Sequence, residues 1–256
     1  MRPRRGAHRA RHRFGTDRRW SPMRLYSKYV LPVLTHLAMR NKAARAERAR
    51  WIPLATGVVL EIGVGSGLNI PIYGPNVRKL YALDPSEELR RMAQPRAERA
   101  GFPVEFLAAP AEAIPLAAAS VDSVVTTWTL CTIADPARAL QELRRVLRPG
   151  GRMTFVEHGR SPDPEVVRWQ DRLTPVWRRI AGGCHLNRPI DLLIAASGFE
   201  VEVMERGYSG GPRVGAYLYR GVARRCTPGS DAPGADLGGT EIATLAAGCD
   251  RIVHSR

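Results

Sequence analysis

Three glycines, Gly63, Gly65 and Gly67, stand at alternate positions directly behind an apolar run, Val58-Val59-Leu60. No other feature constrains the fold as strongly. Glycine costs backbone entropy in regular structure, so this spacing marks a tight turn that brings backbone close to a ligand. The run before it reads as a buried strand. A glycine turn at the carboxyl end of such a strand is where open α/β sheets hold their ligands.

The rest of the chain alternates in the same way. Strand-like runs at 57–62, 79–83, 104–107, 121–127 and 153–156 are separated by turns and by helical patterns. Ser86 can cap a helix whose first turn carries Glu87 and Glu88. Residues 136–147 place Ala137, Leu140, Leu143, Val146 and Leu147 on one helical face, and Pro149-Gly150-Gly151 predicts a sharp stop. Residues 160–187 read as a long, irregular connection. A short helix at 191–197 is ended by Gly198, and runs at 199–204 and 215–223 predict a hairpin. The expected fold is α/β: a Rossmann-like, seven-stranded, mostly parallel sheet with helices on both faces and a C-terminal antiparallel hairpin. Its organisation reads as an Arg-rich disordered arm at 1–22, a single domain at 23–225 that begins with a helical lid over 27–49, and a disordered tail at 226–256.

Charge is unevenly spread. The arm holds eight arginines against one acid, Asp17, and so carries +7 of the chain's net +15. It has no apolar periodicity and no signal-peptide core. Such an arm admits a nucleic-acid-binding reading, but the folded part shows no stacking-aromatic pattern and no recognition helix, so nucleic acid is not the expected partner. The longest apolar stretch, YVLPVLTHLAM at 29–39, is broken by Pro32 and His36 and falls short of the ~18 residues that span a membrane. It reads as an amphipathic helix, either packed as a lid or in peripheral contact with a membrane. The four cysteines, Cys131, Cys184, Cys226 and Cys249, show no CxxC spacing. No metal ligand set and no disulfide framework is expected, and a cytoplasmic setting is the default.

The glycine turn, Asp84, Thr126-Thr127 and Glu157-His158 all fall at strand ends on one edge of the expected sheet. A dinucleotide fingerprint would be G-x-G-x-x-G; here the spacing is G-x-G-x-G, with Glu61 two residues before the first glycine. That disfavours an NAD-dependent oxidoreductase. S-adenosylmethionine fits better. Its amino-acid tail can lie on glycine backbone, Glu61 can face its ammonium, and Asp84 can accept both ribose hydroxyls.

At this point the ordered set VLEIGVGSG, ALDPS, PAEAIPL, VDSVVTTWTLCTI and LRRVLRPGGRMTFVEHG resembles the class I S-adenosylmethionine-dependent methyltransferases. The resemblance implies a cofactor loop of Gly63, Gly65 and Gly67 above Glu61, and a ribose contact at Asp84. It further implies that Pro85 lies beside the adenine, Ala111 and Glu112 at its edge, and Thr127 near the methionine part. Many relatives have Asp where this chain has Pro110. The second half, with TLC, VEHG, WQDRLTPVWRR and GGCHLNR, is similar to the methyltransferase-like type-seven family. That likeness implies methyl transfer to a small acceptor, a thiol first. The alternatives are N- or C-methylation of a phospholipid or quinone.

A thiol is only a few per cent ionised at neutral pH, so a neutral histidine near the acceptor could take its proton. His158 and His185 are the two candidates.

Overall fold

A computed structural model of the chain describes residues 25–226. The arginine-rich arm and all of the expected tail except its first residue lie outside the described residues.

Seven strands form one sheet: β1 (Gly57–Ile62), β2 (Val77–Leu83), β3 (Val104–Leu107), β4 (Val121–Thr127), β5 (Leu147–His158), β6 (Phe199–Tyr208) and β7 (Tyr217–Arg225). Their order is β3-β2-β1-β4-β5-β7-β6. The first five pair in parallel; β7 runs antiparallel to both β5 and β6. This is the predicted sheet with the predicted hairpin.

The central strands β1 and β4 are buried on both faces, as a covered parallel sheet requires, while the edge strands β3 and β6 are mostly part-exposed. Val59, Leu80, Ala82 and Val125 enter one apolar cluster, while Leu60, Ile62, Leu83, Val124 and Phe155 enter another. The alternation follows from the two-residue period of a strand. Helices α1 (Leu31–Ala38), α2 (Lys42–Trp51), α3 (Glu87–Ala97), α4 (Pro136–Val146), α5 (Pro164–Ile180), α6 (Ile190–Ala196) and α7 (Arg213–Ala216) complete the fold. Ala139, Leu140 and Leu143 of α4 and Ile190 and Ile194 of α6 pack on one face; Ala93 of α3 packs on the other.

Three local expectations are corrected. The single lid helix over 27–49 is broken in two. Asn41 adopts an extended backbone and its side chain accepts the Ala44 N–H at 2.8 Å, so α2 starts afresh as a capped helix. Pro149-Gly150-Gly151 does not precede the fifth strand but bulges out of it. Val121 pairs with Leu147 and Ser123 with Arg152, so the strand resumes beyond the bulge. A Cβ at Gly151 would come within 2.9 Å of the Asp122 carbonyl, which is why glycine closes that bulge. The connection at 160–187 is mostly α5, capped by Asp163, whose side chain accepts the Glu165 N–H, and containing Pro175 in its interior.

The register does the functional positioning. Ile62 lies opposite Leu83 on one side and Thr126 on the other. The ends of β1, β2 and β4 therefore meet at one edge, where the strand order reverses, and the glycine turn opens there.

Candidate functional site

The turn after β1 holds Gly63, Gly65 and Gly67 at φ of +64°, +55° and +75°, the left-handed region that glycine enters without strain. A Cβ at Gly63 would stand 2.3 Å from the Thr129 hydroxyl. The turn is thus packed tightly against the segment that follows β4, and no other residue fits. At Gly65 the surroundings are open, with nothing nearer than 3.8 Å, and the residue lines a cavity of about 490 Å³.

Glu61 sits beneath the turn, 1% exposed. Asn69 Nδ2 donates to one carboxylate oxygen at 2.8 Å and the Tyr73 hydroxyl to the other at 2.7 Å. Burial nevertheless pushes the Glu61 carboxyl up to about 7. Asn69 Nδ2 also reaches Thr127 Oγ1 at 3.0 Å, while Asn69 Oδ1 is buried without a partner. An orphaned acceptor at a cavity wall invites a ligand N–H. Sequence reading missed Asn69 and Tyr73; a lone polar residue close behind a glycine turn was the signal available.

Asp84 ends β2. Its Oδ2 accepts the Gly65 N–H at 2.9 Å and its Oδ1 the Ser86 N–H at 2.8 Å. The carboxylate thus fixes the glycine turn and the start of the next helix, and each oxygen keeps a free lone pair toward the cavity. Burial raises its pKa above the usual carboxylate value. Pro85, Ala111, Glu112 and Thr127 line the same cavity. Glu112 also accepts the Asp135 N–H at 3.2 Å, tying two wall segments together.

Arg48 of α2, not anticipated from the sequence, packs on Trp128. The guanidinium lies 4.8 Å from the Trp128 ring centre and donates to the Met39 carbonyl at 2.7 Å. Burial brings Arg48 down to about 10, against the pull of Glu61. Trp128 has φ of +51°, a strained position for a bulky residue, held by its N–H donating to the Val156 carbonyl at 2.8 Å. That backbone places the indole in the cavity wall.

The histidines are distributed otherwise than expected. Neither His158 nor His185 is among the residues lining the cavity. His158 Nε2 lies 2.9 Å from Cys184 Sγ, and the His185 N–H donates to the Cys131 carbonyl at 2.8 Å. Cys131 and Cys184, which they contact, are near neighbours in sequence of Thr132, Ala181 and Gly182 in the cavity wall. The imidazole that does face the cavity belongs to His36 of α1, whose Nδ1 lies 2.7 Å from Ser66 Oγ on the glycine turn. Burial, aided by Arg96 and Arg40, holds its pKa below the ordinary histidine value, so it is neutral at pH 7. Its trace in the sequence was the polar break in an apolar stretch.

A family described as methyltransferase domain matches residues 60–155. Thiol S-methyltransferase TMT1B of Homo sapiens is 36% identical over 180 residues, 66% of this chain and 73% of that protein. Phosphatidylethanolamine N-methyltransferase of Cereibacter sphaeroides is 31% identical over 120 residues, 46% of this chain and 59% of that protein. Among solved structures, a SAM-dependent methyltransferase from Methanosarcina mazei superposes with a TM-score of 0.54 at 21% identity, covering 67% of this chain and 93% of that one. The glycine turn, the paired acids beneath it and these likenesses agree. The chain belongs to the class I S-adenosylmethionine-dependent methyltransferases, alongside the thiol S-methyltransferases, and S-adenosylmethionine is its cofactor.

Proposed function

We propose that the enzyme methylates a small thiol at the edge where β1, β2 and β4 end. The observation that carries this reading is the 36% identity to a thiol S-methyltransferase across 73% of its length. S-adenosylmethionine, when bound, supplies a methyl group on a positively charged sulfur, ready for direct displacement. In this reading Gly63 and Gly65 give its amino-acid tail a backbone surface, whereas Gly67, expected to share that role, is absent from the cavity lining and is packed against Ala93 and Ile70, where it holds the turn. Asn69 Oδ1, which has no partner of its own, and ionised Glu61 compensate the ammonium. Asp84 uses its remaining lone pairs for the ribose hydroxyls. Pro85, Ala111 and Glu112 flank the base, and Thr127 lies toward the methionine end.

The acceptor's proton goes to His36 rather than to His158 or His185. His36 lies in the cavity wall with its pKa held below the ordinary histidine value, and in the tautomer whose Nδ1–H donates to Ser66 Oγ, Nε2 is the basic atom.

The acceptor reaches this site from an apolar surface. Tyr29, Val33, Leu34 and Leu37 of the N-terminal helical segment are exposed, as are Trp169, Leu173, Val176 and Ile180 of α5. The Tyr26 hydroxyl donates to the Ile180 carbonyl at 2.6 Å, joining the two. No helix among the described residues is long and apolar enough to cross a membrane, so this face suits peripheral contact. The same face supports a second reading, methylation of a lipid, in line with the phosphatidylethanolamine-methylating relative.

Purified enzyme, labelled S-adenosylmethionine and a panel of thiols, quinones and phospholipid vesicles decide between them. Label in a thioether product is the expected result. Label only in lipid or quinone would overturn the thiol reading and leave the cofactor assignment standing.

A further inference from the structure

Outside the cavity lining, three donor atoms converge from three separate segments. Cys131 follows β4, His158 ends β5 and Cys184 lies between α5 and α6. One atom from each lies within 4.8 Å of the other two. Both cysteines are free and buried. His158 Nε2 is 2.9 Å from Cys184 Sγ, and Trp177 Nε1 approaches the same sulfur at 3.3 Å. His158 Nδ1 is buried and has no hydrogen-bond partner, so no second contact dictates which ring nitrogen keeps the proton. Nε2 is free to present its lone pair to the cluster.

We propose that Cys131, His158 and Cys184 bind a thiophilic divalent cation, with zinc the ion that fits. Two sulfurs and one imidazole nitrogen are the donor set of a borderline-soft metal, not of magnesium or calcium. As thiolates the two cysteines neutralise the ion's charge. Two S–H bonds break, two metal–sulfur bonds form and two protons pass to solvent. A tetrahedral zinc ion holds two sulfur ligands roughly 3.8 Å apart and a sulfur and a nitrogen roughly 3.5 Å apart, so the widest pair, within 4.8 Å, closes by about 1 Å while the His158–Cys184 pair, at 2.9 Å, opens by roughly 0.6 Å. Three protein ligands leave a fourth position for a small exogenous donor. No CxxC spacing announces the site, because each ligand comes from a different segment of the chain.

The cluster lies next to the cavity. Thr132, Ala181 and Gly182, which line it, are sequence neighbours of the ligand-bearing residues, and the His185 N–H already joins the two loops through the Cys131 carbonyl. A bound cation fastens the segment after β4 to the segment after α5, and so stiffens one wall of the cofactor site.

The test uses the full chain, stripped with a chelator and kept reduced without thiols, titrated with Co²⁺ as a spectroscopic stand-in and then with Zn²⁺. One equivalent of cobalt should produce thiolate-to-metal charge-transfer absorption, and zinc should abolish it. Cys131→Ser and Cys184→Ser should each weaken binding by ~100-fold or more, and His158→Ala by at least ~10-fold. A Cys226→Ser/Cys249→Ser double variant should bind as the parent does. Circular dichroism of each stripped variant confirms that it is folded, and zinc should raise the melting temperature of the parent but not of Cys131→Ser. Absence of the absorption in the parent overturns the proposal. So does absorption that survives in Cys131→Ser or Cys184→Ser, or a Cys131–Cys184 disulfide in freshly isolated protein that leaves neither sulfur open to alkylation.

Discussion

At Glu61, burial and bonding pull in opposite directions. Asn69 and Tyr73 donate to the carboxylate, yet desolvation outweighs them and sets the pKa near 7 against an ordinary 4.5. In the unliganded enzyme the folded state therefore holds a proton that the unfolded chain releases. Stability from this group is complete below pH 4.5, falls as pH rises and is lost once pH passes about 7. The loss is on the order of 3 kcal/mol. Glu61→Gln cannot ionise, so its unliganded form should gain on the parent between pH 5 and pH 8 in urea unfolding. The same variant should bind S-adenosylmethionine at least ~10-fold more weakly, because it lacks a charge for the ammonium. Equal pH slopes for the two proteins would show that Glu61 is ionised even when buried. His36 offers a second prediction at this scale. His36→Ala should lower thiol turnover at pH 7 by ~10²-fold with little change in cofactor affinity, and His185→Ala should stay within a few-fold. The deficit should shrink toward pH 8.5, where solvent supplies thiolate. A pH-independent deficit would mean that His36 positions the acceptor without taking its proton.

The elements that were hardest to read are the ones that surround the cavity. Residues 160–187 carry Trp169, Trp177 and a run of arginines, and Pro175 normally argues against a helix interior. In α5 the surrounding contacts override that preference: Thr174 Oγ1 donates to the Gln170 carbonyl at 2.6 Å, and buried Gln170 donates to the carbonyls of Gly159 and Val214. The break between α1 and α2 was hidden in NKAARAERARW, whose composition is helical throughout; only the cap at Asn41 ends one helix and starts the next. By contrast, β1, β2 and β4 were legible because strands covered on both faces need long apolar runs. The outer faces of α1 and α5 give the prediction at this scale. Val33→Glu with Val176→Glu changes two side chains that are 47% and 58% exposed, so folding should be preserved. Sedimentation with vesicles should fall ~10-fold or more, while turnover on a water-soluble thiol should stay near that of the parent. Unchanged vesicle binding would remove this face as the membrane contact.

At the scale of the whole molecule, one reversal of strand order gathers groups that are far apart in sequence. The glycine turn, Asp84 and Thr127 were legible as a set because each ends a strand, and parallel strands end on the same edge. The histidines were not, because β5 ends at that edge too but His158 is aimed at Cys184. Strand ends locate the edge; side-chain direction and the paths of the long loops decide what faces the ligand. Because the cofactor binds across three strand ends, it should stabilise the domain as a unit. At about a hundredfold over its dissociation constant the gain is ~2.7 kcal/mol, a melting shift on the order of 5–10 °C. Deleting residues 1–22 should leave that shift intact, since every group assigned to the cofactor lies beyond them. Asp84 needs a careful variant. Asp84→Ala would release the Gly65 and Ser86 amides and disturb the turn itself. Asp84→Asn keeps a carbonyl acceptor for one of those amides, leaves the other without one, and loses the charge offered to the ribose. It should stay folded without ligand, melting several degrees below the parent because one amide is left unpaired, and show less than half the parent's shift with S-adenosylmethionine. If Asp84→Asn keeps the full shift, the carboxylate serves only to hold the turn, and the ribose hydroxyls find their partner elsewhere.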